Sequence, residues 1–127
     1  GVEFKTGINT EQLMREYAES KLTIVSSLYE GFGLPAGEAL ACGIPLICSD
    51  GGALPEVVGN AAFTVKAGDV AELVNALRTL ITNETMCEQL SIAGRKHSLQ
   101  HLSWQVVGEQ LSDYYRKILT QNTSTQE

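Results

Sequence analysis

Hydrophobic positions follow two regimes along the chain. Between residues 22 and 65 they come as short continuous runs, "LTIV" (22–25), "IPLICS" (44–49) and "AFTV" (62–65), each of strand length. Runs of that kind suit strands buried on both faces. From residue 70 onward the spacing turns helical, and 70–82, 84–100 and 103–120 each predict a helix. Leu73, Ala76, Leu77 and Leu80 make one stripe; Val106, Val107, Leu111, Tyr114, Tyr115 and Ile118 make another.

Punctuation residues divide the first half further. Pro35 suits the first position of a helix that Gly43 would close, and "LPEVVG" (54–59) reads as a shorter helix with Pro55 near its start. Upstream, "VEF" (2–4) is a strand candidate. Thr10 fits the N-cap of a helix in "EQLMREYAES" (11–20), with Leu13, Met14, Tyr17 and Ala18 at helical spacing. The closing "TQNTSTQE" has nothing to bury, so disorder is expected over 121–127. Strands alternating with helices predict an α/β fold, a Rossmann-like parallel sheet flanked by helices, with a helical C-terminus. Such sheets bind ligands beyond the carboxyl ends of their strands, which places a site in the loops 26–34 and 49–53.

Composition narrows the classes. The 127 residues suit one domain, and 43% hydrophobic with 19% charged residues is ordinary for a globular chain. A net charge of −6 argues against a general nucleic-acid binder, which needs a basic stripe. It leaves room for one phosphorylated ligand, because backbone amides can supply the field locally. Cys42, Cys48 and Cys87 form no CxxC pair; Cys42 and Cys48 read as core thiols, and a reducing compartment is expected. No apolar run approaches the ~18 residues of a membrane span.

The chemistry concentrates in "YEGFGLPAGEALACG" (29–43). Gly31 and Gly33 permit backbone conformations closed to other residues and clear side chains from the turn. The first amides of the helix lack intrahelical partners and lie at the positive end of its dipole. With Pro35 contributing no N–H, the donors to an anion such as a diphosphate would be Phe32, Gly33, Leu34 and the residues after Pro35. Glu38, within about one helical turn of Pro35, would repel a phosphate beside it but could accept the vicinal hydroxyls of a ribose; Glu30 could do the same for another sugar. Spacing alone leaves a plainer reading equally open, with Glu38 a capping carboxylate and Glu30 a solvated loop acid. A glycosidase acid–base pair would require a known carboxyl separation.

"SSLYEGFGLPAGEALACGIPLICSDGGALPEVVGNAA" (26–62) resembles the signature of GT-B-fold retaining glycosyltransferases of family 4, the glycosyl transferases group 1. Their E-x7-E motif corresponds to Glu30 and Glu38. The resemblance implies that residues 1–120 are a partial C-terminal, nucleotide-sugar-binding domain, its first strands and the N-terminal acceptor-binding domain missing. It implies Glu30 as the catalytic-site residue that binds donor-sugar hydroxyls and steadies charge at the anomeric carbon. Gly31, Phe32, Gly33 and Leu34 would contact sugar and diphosphate, Glu38 the ribose, and Gly51 and Gly52 would shape the adjoining loop. The implied partner is a nucleotide-sugar donor, with no cofactor and no metal. The basic residues that neutralise the leaving diphosphate belong to the missing region, so the chain alone is expected to be inactive. The chain opens on Gly1 rather than Met, as a piece of a longer protein would. Soluble nucleotide sugars and free thiols imply a cytoplasmic location, with any attachment to the inner membrane surface coming from the missing half. A non-catalytic nucleotide-sugar-binding or regulatory module of the same fold is the alternative.

Four further features are expected to be structural. Lys5 reads as a solvated lysine, and His97 and His101 as surface or packing residues rather than metal ligands. Trp104 reads as the anchor of the last helix. In relatives that helix crosses toward the other domain, so an unfilled apolar patch is expected on it.

Overall fold

The computed structural model describes residues 1–123, with side chains through Gln121. In chain order the elements are α1 (Thr10–Glu19), β1 (Thr23–Val25), α2 (Leu34–Cys42), β2 (Leu46–Ser49), α3 (Leu54–Val58), β3 (Phe63–Val65), α4 (Val70–Thr82), α5 (Glu84–His97), a π-turn (Ser98–Leu102) and α6 (Trp104–Thr123). The strands form one parallel sheet in the order β1–β2–β3, with Thr23 opposite Leu46 and Ile47 opposite Phe63. The parallel α/β architecture expected from the hydrophobic pattern is the one adopted.

β2 is the centre of the core because its successive side chains point to opposite faces. Leu46 and Cys48 join Leu40, Leu54, Val57 and Val58 on one face. Ile47 meets Val65, Ala76 and Leu80 on the other. Burial there pushes the Cys48 thiol above its usual range. Helix α2 ends where expected: Gly43 is left-handed at φ 70°, and its N–H bonds back to Leu40 at 3.0 Å.

Several expectations need correction. Residues 2–4 form no strand; Val2 and Phe4 are 83% and 89% exposed, with no neighbouring strand to satisfy their backbone. The N-cap of α1 is Asn9, not Thr10, because its carboxamide accepts the Gln12 N–H while Gln12 reaches back to the Asn9 N–H. β1 is buried on one face only, since it lies at the sheet edge and Ile24 is exposed. Cys42 is exposed at the last position of α2 rather than in the core. The helix expected over 84–100 gives way at Ser98 to the π-turn that redirects the chain into α6. α6 continues to Thr123, so 121–123 are helical where disorder was expected, and 124–127 lie outside the described residues.

Candidate functional site

Three loops meet at the carboxyl edge of the sheet: 26–33 after β1, 50–53 after β2 and 66–69 after β3. They are laced together by polar contacts. The Asp50 carboxylate accepts the Ala67 N–H at 2.7 Å, and the buried Ser49 hydroxyl donates to the Ser27 carbonyl. The Ala53 N–H donates to the Glu30 carbonyl at 2.9 Å. Gly51 and Gly52 are required by this lacing. A Cβ on Gly51 would stand 2.6 Å from the Leu28 carbonyl oxygen, and one on Gly52, at φ 61°, would collide with the Glu30 backbone.

The turn into α2 is built on Gly33. It is left-handed at φ 86° and buried, and a Cβ there would strike Leu54. Gly31 differs: its φ is not positive and open space surrounds it, so the turn does not depend on it in the way expected. Helix α2 begins at Leu34, one residue ahead of Pro35. The Gly33 carbonyl already accepts the Ala36 and Gly37 N–H groups, at 3.0 and 3.2 Å. The N–H groups of Phe32, Gly33 and Leu34 have no partner among the described residues. They are therefore free donors at the positive end of a nine-residue helix.

Glu38 is the fifth residue of α2, one residue deeper than expected, and it caps nothing. Its exposed carboxylate accepts a 3.0 Å hydrogen bond from the Tyr17 hydroxyl, which also lies 3.4 Å from the Pro35 carbonyl. Burial first, then that bond to Glu38, pushes the Tyr17 phenol well above its ordinary range. Phe32, Leu34 and Glu38 line one groove of about 420 Å³, whose far wall is Leu102, Trp104 and Val107.

Glu30 occupies a different setting. It is half-buried, and its Oε1 accepts the Ser27 hydroxyl at 2.8 Å. The structure thus brings Phe32, Leu34 and Glu38 to one groove, with Gly33 beneath them. Glu30, Gly51 and Gly52 form the adjoining loop pair, and Gly31 stands clear of both. Sequence reasoning missed Tyr17 and Ser27, the two hydroxyls that hold the carboxylates. Tyr17 had registered only as an apolar position, although a half-buried tyrosine hydroxyl calls for a partner.

The remaining candidates fall outside the groove or change character. His97 Nε2 lies 2.9 Å from the Val57 carbonyl and joins α5 to α3, a packing role. Among the described residues no three His, Cys, Asp or Glu side chains gather as metal ligands. Lys5 is ion-paired with Glu16 rather than simply solvated. Trp104 anchors nothing: it is 90% exposed at the start of α6, with Leu111, Tyr114 and Tyr115 also exposed along that helix.

A three-stranded parallel sheet flanked by helices, with a helical C-terminus, is a Rossmann-like half-domain of the GT-B architecture. The chain belongs to the family Glycosyl transferases group 1, whose pattern matches residues 1–97. It is 38% identical over 121 residues to the MMP alpha-(1->4)-mannosyltransferase of Mycolicibacterium hassiacum, covering 93% of this chain and 29% of that protein. Among solved structures, the sucrose-phosphate synthase of Thermosynechococcus elongatus superposes with a TM-score of 0.80 at 29% identity, over 93% of this chain and 30% of that one. Anabaena Alr3699/HepE in complex with UDP shares the fold at a TM-score of 0.74 and 23% identity, over 85% of this chain and 30% of that one. The chain therefore spans less than a third of the length of these relatives. Among the described residues, no helix is long and apolar enough to cross a membrane.

Proposed function

We propose that this chain is the donor-binding half of a retaining, family 4 glycosyltransferase that moves a sugar from a nucleotide diphosphate to a glycan, lipid-linked or small-molecule acceptor. The observation that carries the reading is the set of three free amides, Phe32, Gly33 and Leu34, at the start of α2 beside the exposed carboxylate of Glu38. Amides at a helix N-terminus suit a diphosphate. Glu38 lies four residues on, about 6 Å along the helix axis. A carboxylate there would repel the phosphates, so its partner is a neutral, hydroxyl-bearing part of the same ligand. Glu38 makes no capping hydrogen bond, which favours the ligand role over the capping one.

Glu30 is the second contact. Its carboxylate faces donor-sugar hydroxyls and steadies positive charge at the anomeric carbon, while Ser27 fixes one oxygen. Gly51 and Gly52 act by letting the two loops approach. Leaving-group charge is neutralised by basic residues and by an acceptor-binding domain outside this chain, without metal or cofactor. The chain alone then binds nucleotide weakly and transfers nothing. A cytoplasmic location goes with soluble donors.

The test is calorimetric titration of the full-length protein with UDP-, GDP- and ADP-sugars, as wild type, Glu38→Ala and Glu30→Ala. One nucleotide series should bind, and Glu38→Ala should weaken it roughly 10- to 100-fold, the range for losing hydrogen bonds to a charged group. Undiminished binding in both variants would remove the donor-site reading of this turn.

A further inference from the structure

We propose that Tyr17 is a positioning residue for the donor: its hydroxyl holds the Glu38 carboxylate in the orientation that receives the ribose. The inference rests on the donor-site reading above and adds a residue from outside the glycine turn. Glu38 is exposed on α2, and a free glutamate side chain there samples many rotamers that a ligand must restrict on binding. Among the described residues the Tyr17 hydroxyl is the group that bonds its carboxylate, at 3.0 Å on Oε2. Oε1 and the second lone pair of Oε2 remain to accept two ligand hydroxyls.

Tyr17 can do this because its own position is fixed. Its ring packs against the core cluster that contains Leu40, Leu54 and Val57. Its helix, α1, is held at the start by the Asn9–Gln12 capping box. The raised phenol keeps its proton, so it remains a donor to the carboxylate throughout the neutral range. The second acceptor within its reach, the Pro35 carbonyl at 3.4 Å, is on the first turn of the same helix α2. The hydroxyl thus references Glu38 to the turn that would carry the diphosphate. A purely structural tie between α1 and α2 uses the same bond, so the test must depend on the ligand's hydroxyls.

The experiment compares wild type, Tyr17→Phe, Glu38→Ala and the double variant in the full-length protein. The ligands are whichever of UDP, GDP and ADP binds most tightly and its 2′,3′-dideoxy counterpart. Tyr17→Phe keeps the ring and its packing, and thermal unfolding checks that the fold persists. It should weaken the ribose form about three- to tenfold, the scale of re-ordering one long side chain. It should leave the dideoxy form unchanged, and the double variant should bind no worse than Glu38→Ala alone. Equal weakening of both ligands, or no weakening while Glu38→Ala loses affinity, would overturn the positioning role and leave the donor site standing. Undiminished binding by Glu38→Ala would overturn the ribose contact of Glu38 and this role together.

Discussion

Gly31 and Gly52 look interchangeable as letters, and the backbone gives them opposite weights. Gly52 needs a positive φ and abuts the Glu30 backbone, whereas Gly31 faces open space without a positive φ. Gly52→Ala should therefore cost about 2 kcal/mol or more in denaturant unfolding, and Gly31→Ala should stay within about 0.5 kcal/mol. Tyr17 carries a second prediction at this scale. Its phenol is raised in the folded state by burial and by Glu38, so the folded form binds the proton more tightly than the unfolded form. The stabilisation is complete below the ordinary phenol value of about 10 and is lost as pH rises through the folded value. Wild type should thus lose stability above pH ~10 more steeply than Tyr17→Phe. Phenolate absorbance should show one late-ionising tyrosine, and that component should vanish in the variant.

The elements themselves were largely legible, because the signals that define them are local. The bounds of α4 match those expected from its leucine stripe, and Gly43 closes α2 as expected. Asp69 caps α4 by accepting the Glu72 N–H at 2.9 Å, so Asp69→Ala should cost about 1 kcal/mol in thermal or urea unfolding. What failed depended on neighbours. The "VEF" run has strand character but no strand beside it, and "LTIV" occupies a sheet edge that hydrophobicity alone does not mark. The site shows the same division. The glycine turn and its free amides follow from residue types at fixed spacing. The Tyr17–Glu38 bond joins residues 21 apart in sequence and exists only once α1 packs on α2.

For the molecule as a whole, the sheet holds its three loops rigidly together while α6 stays open. Leu111, Tyr114, Tyr115 and Trp104 are each more than half exposed, and exposed apolar groups gathered along one helix are the kind of surface that marks association. The patch anticipated on this helix is present, and Trp104 is its most exposed member instead of its anchor. The chain expressed alone should self-associate with rising concentration in light scattering. Leu111→Lys should reduce that association without lowering the unfolding midpoint, because residue 111 is not part of the core.

The central claim is that the amides opening α2 receive the donor's diphosphate. The most direct measurement is amide chemical-shift mapping in full-length protein labelled selectively with nitrogen-labelled phenylalanine, glycine and leucine, titrated with UDP, GDP and ADP. The account predicts that Phe32, Gly33 and Leu34 shift together along one saturation curve for the nucleotide that binds. A nucleotide that saturates the protein while those three signals stay fixed would contradict it.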